Sequence, residues 1–152
     1  MTAADPAQPL KDFQPRHEFF IAVDSDGTVF DTTAVKHLEC LCPAMIECFG
    51  LEPVARAARE CMRFAAMFSK TRGANRYRTL KRILAELLPT HPMVVARGFR
   101  VPQLPHYFAW VDDPDSVLSS EGLRQAMAGA TGPATEELQL ALDWNDRVNR
   151  AI

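Results

Sequence analysis

The sequence predicts an α/β fold in which the helical part dominates: a strand layer is started once and not continued, and a long helical region follows. Three observations predict this. Phe19-Phe20-Ile21-Ala22-Val23 is a short apolar run that stops at Asp24, the pattern of a buried β-strand. From residue 33 onward, apolar residues recur at helical spacing in successive stretches. Strand signals nearly vanish after residue 32. One strand is not a sheet, and a lone apolar strand is unstable, so either another strand lies within 91–111 or the sheet is incomplete in this chain. The expected organisation is a tail over 1–17, a strand and loop over 18–32, and a helical domain over 33–152.

Length and composition narrow the class. The 152 residues suffice for one domain with a real core. Apolar residues make up 47% and charged residues 24%, which fits a globular chain. A net charge of −2 argues against nucleic acid or an anionic membrane as partner. No apolar run approaches the roughly 20 residues a spanning helix needs. The first 17 residues carry Pro6, Pro9 and Pro15 and no apolar segment of a secretory signal, so the expected location is the cytoplasm.

Taken in order, the tail gains order near Phe13, and the strand occupies 18–24. In 33–49, Ala34, Val35, Leu38, Leu41, Cys42, Met45, Ile46 and Phe49 form a helical stripe; Pro43 should kink or split it, and Gly50 is placed to end it. A second helix is expected from Pro53, a favourable first-turn proline, to Phe68. A third runs from Asn75 to Leu88, with Tyr77, Leu80, Ile83, Leu84, Leu87 and Leu88 on one face and Pro89 beyond its end. Pro89, Pro92, Pro102 and Pro105 divide 89–112, which reads as mostly loop. A serine-capped helix follows from Ser119 or Ser120 to Ala128, then a break at Thr131-Gly132-Pro133 and a last helix from Thr135. The four cysteines, Cys40, Cys42, Cys48 and Cys61, lack the paired spacing of a zinc site and read as core thiols, with metal or disulfide as the alternative. His37 and His91 read as surface or core residues rather than ligands.

The chemistry sits where the strand ends. In open α/β sheets, ligands bind beyond the carboxyl ends of strands. Residues two apart in extended chain face the same side, so Asp24 and Asp26 can meet one ligand together. Carboxylates that close repel unless a cation lies between them, and an oxygen-only donor set suits Mg²⁺. A carboxylate can also attack phosphorus to give an aspartyl-phosphate, with the second acid moving the proton. Gly27 lets the backbone approach a phosphate closely. An EF-hand loop starting at Asp24 needs Gly at its sixth position and Glu at its twelfth; Val29 and Val35 stand there, which rules it out.

The stretch Asp24-Ser25-Asp26-Gly27-Thr28-Val29-Phe30-Asp31-Thr32 resembles the first motif of the haloacid dehalogenase (HAD) superfamily. Phe68-Ser69-Lys70-Thr71-Arg72-Gly73-Ala74-Asn75-Arg76, with His37-Leu38-Glu39-Cys40, looks like the helical cap of its phosphoglycolate-phosphatase-like branch. The resemblance implies a Rossmann-like α/β core, here incomplete, interrupted by a mainly helical cap. It implies a Mg²⁺-dependent phosphohydrolase acting on a small phosphorylated metabolite. Asp24 would be nucleophile and metal ligand, Asp26 general acid/base and metal ligand, Gly27 and Thr28 the phosphate loop, and Asp31 a brace at the hinge into the cap. Cap residues Lys70, Arg72 and Arg76 would bind an anionic substrate, as guanidinium suits carboxylate and phosphate. Arg78, Lys81 and Arg82 read as a solvated helix face.

Three further family motifs, a Ser/Thr, a Lys and a later acidic pair, are not found. Tyr107-Phe108-Ala109-Trp110-Val111-Asp112-Asp113 offers an apolar run ending in acids, but no Ser/Thr strand or Lys precedes it suitably. The expectation is therefore a chain holding the first motif and the cap, with the remainder of the core in cis or in trans, and inactive alone. The alternative is a non-catalytic helical interaction module that keeps a relic of the motif.

Overall fold

The computed structural model describes residues 8–14, 16–19, 21–24, 29–30 and 32–152. Among them the chain is helical, with a single bridge position at Phe30 and no strand. Helix α1 is one turn, Gln8–Lys11. The bundle proper begins with α2, one continuous helix over 33–48 made of Thr33–Val35, Lys36–Leu41 and Cys42–Cys48. Helix α3 covers 55–68 as Ala55–Arg63 and Phe64–Phe68, behind a 3₁₀ turn at Glu52–Val54. Helix α4 covers 76–87 as Arg76–Arg82 and Ile83–Leu87. Then come α5 (Pro92–Arg97), α6 (Pro105–Asp112), α7 (Ser120–Ala128) and α8 (Pro133–Ala151).

The helix does not split at Pro43. Lys36–Leu41 is a π-helical turn, in which Cys42 N–H reaches back five residues to the His37 carbonyl. The wide turn ends immediately before the proline, which then sits in the first turn of the α-helical part, where its missing N–H and its ring are tolerated. Helix α2 ends as its sequence indicates. Gly50 adopts φ +62°, Leu51 N–H donates to the Ile46 carbonyl at 2.9 Å, and the Leu51 side chain is fully buried beneath the turn.

Two expectations are corrected. Residues 89–112 are not mostly loop, because Pro92 and Pro105 start helices instead of breaking the chain. Both stand in the first turn, where the missing N–H has no intrahelical partner to lose. The stretch 107–113 is accordingly no strand: Tyr107, Trp110 and Val111 are buried at helical spacing on α6. That removes both the hidden strand in 91–111 and the candidate acidic pair at a strand end. The buried strand expected over 18–24 is likewise not seen at its described residues, 18–19 and 21–24. Its described apolar members Phe19, Ile21 and Val23 are 81%, 86% and 67% exposed, since no neighbouring strand among the described residues supplies ladder partners.

The core is one cluster centred on α8. This helix packs against α2, α6 and α7, while α3 packs against α2 and α4. Trp144 is fully buried, and its indole N–H donates to the Leu41 carbonyl at 3.3 Å. Tyr77 of α4 meets the rings of Trp110 and Trp144 edge-on, with centroids 5.4 and 6.2 Å away. The Tyr107 hydroxyl, fully enclosed, donates to the Tyr77 carbonyl at 2.8 Å.

Cys42 and Cys61 belong to this core, and burial pushes each thiol up to about 11. Since a thiolate is the reactive form, both should resist a maleimide at pH 7.5 in the folded chain and react on unfolding. The linkage has a definite sign. A folded-state pKa above the usual 9.0 leaves stability intact below pH 9 and removes it as pH rises towards 11. A melting temperature that falls between pH 9 and 11, and falls less in Cys42→Ala or Cys61→Ala, is the expected result. A flat profile would refute it.

Candidate functional site

Of the residues assigned from the sequence, Asp24 lies in irregular, exposed chain, and Asp26, Gly27, Thr28 and Asp31 lie outside the described residues. Val29 and Phe30, between them and the bundle, are 59% and 62% exposed. Thr32 N–H donates to the Phe30 carbonyl at 2.9 Å, and α2 begins at the next residue. The first turn of α2, Thr33–Val35, packs against the last turn of α3, Phe64–Phe68. The connection 69–75 therefore starts at the end of the bundle from which the motif stretch departs.

That connection is a tied turn. Ser69 is buried, and its hydroxyl donates to the Ala65 carbonyl at 2.7 Å. Thr71 N–H donates to Ser69 Oγ at 3.2 Å, Arg72 N–H to the Ser69 carbonyl at 3.1 Å, and Ala74 N–H to the Thr71 carbonyl at 3.0 Å. Gly73 has φ +81°, which a residue with a Cβ adopts only under strain. Asn75 closes the turn as N-cap of α4: its Oδ1 accepts from Tyr77 N–H at 3.0 Å and its Nδ2 donates to the Leu118 carbonyl at 3.0 Å.

The three cations assigned to substrate binding separate into two groups. Lys70 and Arg72 are exposed on the turn and make no ion pair among the described residues. Arg76 is turned towards α8, where its guanidinium donates to Asn149 Oδ1 at 2.8 Å and Asn145 Oδ1 at 3.3 Å. Asn145, buried, in turn donates to Ser120 Oγ at 2.8 Å. Arg76 thus ties α4 to α8.

The reading of Arg78, Lys81 and Arg82 as a solvated face holds for Arg78 alone. Lys81 pairs with Asp112 of α6. Arg82 donates to Ser69 Oγ at 2.9 Å and to Thr71 Oγ1, approaches Glu86 at 3.8 Å, and lies 5.8 Å over the Phe64 ring. Arg78, Lys81, Arg82, Glu86, Val111 and Asp112 line an open cleft of about 350 Å³. No local pattern marks Arg82; its partners lie 11 and 13 residues back and meet it only through the α3–α4 hairpin.

His37 and His91 are structural. His37 Nδ1 bonds the Thr33 carbonyl at 2.8 Å. His91 caps α5 by accepting from Met93 N–H at 3.3 Å, which leaves its Nε2 hydrogen for Glu60 at 3.1 Å. Among the described residues, no three of His, Cys, Asp and Glu converge as a metal site. Asp24 and Asp26, the acids the sequence assigns to Mg²⁺, would supply two carboxylate ligands and not a whole site; Asp26 lies outside the described residues. No helix among the described residues is long and apolar enough to cross a membrane.

By fold, then, the described residues form a bundle of helices, and the segment before it is exposed at residues 21–24, 29 and 30. Compared with known proteins, the chain matches no family model, no curated protein and no solved structure.

Proposed function

We propose that this chain carries the catalytic loop and helical cap of a HAD-type phosphohydrolase, with the rest of its α/β core supplied in cis or in trans. The observation that carries the reading is the exposure of Phe19, Ile21, Val23, Val29 and Phe30 on either side of Asp24. Apolar residues flanking a paired-acid motif, left outside the helical core, suit a strand that awaits a sheet. An interaction module retaining only a relic of the motif calls instead for helices to cover that segment, and this exposure weighs against it. The cationic turn at the same end of the bundle adds support, because a cap must present its substrate-binding residues to the catalytic loop.

In this reading, the Asp24 carboxylate attacks phosphorus, and the ester oxygen leaves with a proton from Asp26. Asp26, now a base, takes a proton from the water that attacks the acyl-phosphate; phosphate leaves and Asp24 is restored. Mg²⁺, when bound, neutralises charge on the phosphoryl oxygens. Gly27 and Thr28 shape the backbone around them, Asp31 braces the hinge, and Lys70 and Arg72 hold the anionic remainder of a small metabolite.

The test is a phosphatase assay with Mg²⁺ on residues 1–152 and on the natural polypeptide, whose intact mass is measured first. A mass above 17.0 kDa, with activity in the longer chain alone, is the expected result. Full activity from residues 1–152 would overturn the incomplete core. Inactivity of the natural polypeptide together with any bound partner chain would overturn the hydrolase.

A further inference from the structure

The strongest unassigned constellation is the one around Arg82. Its guanidinium reaches both hydroxyls of the turn, Ser69 Oγ at 2.9 Å and Thr71 Oγ1, which themselves lie 3.0 Å apart. Glu86 at 3.8 Å and the Phe64 ring hold the guanidinium from two other directions. The turn is thus fixed at Ser69 and Thr71 from α4, and at Asn75 by its own cap. The residues between, Lys70 and Arg72, are exposed cations on a backbone that is itself held. Holding the backbone that carries two cations before an anion arrives removes the loop-ordering part of the cost of binding. Both bonds leave one nitrogen, Nη1, of the planar guanidinium, whose reach and fixed plane a lysine ammonium on its shorter stem does not reproduce.

We infer that Arg82 is a positioning residue: it locks the Ser69–Asn75 turn so that Lys70 and Arg72 form a preorganised anion-binding pair. The phosphorylated nature of the ligand rests on the hydrolase reading above; the geometry of the turn does not. The test uses the ¹⁵N-labelled chain titrated with inorganic phosphate. Saturable shifts at the amides of 70–73 are expected, lost in Lys70→Ala/Arg72→Ala and unchanged in Arg56→Ala, which removes an exposed cation of α3. This readout needs no turnover, so failure of the hydrolase leaves the result standing, and the reverse holds as well.

Arg82→Met should weaken phosphate binding about tenfold, and Arg82→Lys should restore only part of it, whereas binding within about twofold of wild type in a folded Arg82→Met chain would overturn the inference. A merely structural role for Arg82 lowers the melting temperature but leaves the affinity of the folded chain unmoved. Should Arg82→Met not fold, Thr71→Val removes one clamp acceptor at an exposed position, and wild-type affinity in that variant overturns the inference equally. Absence of any shift at 70–73 in the wild-type chain does so outright.

Discussion

In the proposed hydrolase, Asp24→Asn is expected to lower phosphatase kcat by at least about 10³-fold, and Asp26→Asn by about 10²–10⁴-fold, with circular dichroism unchanged in both. An amide keeps the shape of the carboxylate but loses the charge that attacks phosphorus, so loss of the nucleophile removes the covalent route altogether. At Asp26 the nucleophile survives and only proton transfer is lost, which leaves a slow reaction. The two variants therefore differ in kind: Asp26→Asn should still accumulate some acyl-phosphate, and Asp24→Asn none. Rapid-quench trapping of labelled enzyme separates them. An Asp24→Asn enzyme retaining more than about a tenth of wild-type kcat would remove Asp24 from the chemistry.

Trp144→Ala is expected to cost about 3–5 kcal/mol, a large share of the roughly 5–15 kcal/mol that holds a domain folded. The indole is fully buried where α8 crosses α2, its N–H is bonded to the Leu41 carbonyl, and its ring supports that of Tyr77. Alanine leaves a cavity between helices joined only through such contacts and removes the donor. For a chain of this length the melting temperature should fall by roughly 10–15 °C. Val117→Ala, at a position 63% exposed, should stay within about 0.5 kcal/mol of wild type. A shift of only a few degrees for Trp144→Ala would mean that α8 does not close the core.

The helices that were legible in the sequence are those with long apolar stripes and chemically distinct ends. Helix α2 carries its stripe through Pro43 to Gly50, α4 starts at Asn75, and α7 at a serine cap. Helices α5 and α6 are obscured in the sequence because Pro92 and Pro105 read as breaks there, although Pro53 reads, by the same first-turn rule, as a start. Tyr107, Trp110 and Val111 already stand at helical spacing, but eight residues with an apolar face resemble a short strand as closely as a short helix.

For the site, residue types and close spacings were readable: the acids Asp24 and Asp26, and the basic turn with Gly73. These are local properties, set by backbone geometry and side-chain chemistry over a few residues, and the sequence determined them by itself. Which cation does what was decided only by tertiary structure. Arg76 was taken up by Asn145 and Asn149, about 70 residues away, and Arg82 became the clamp of the turn because the α3–α4 hairpin returns it to Ser69 and Thr71. The fate of Phe19–Val23 belongs to the same class. An apolar run has the propensity for a strand wherever it stands, but a strand exists only where another chain segment completes its hydrogen bonds, and that is never written in the run itself.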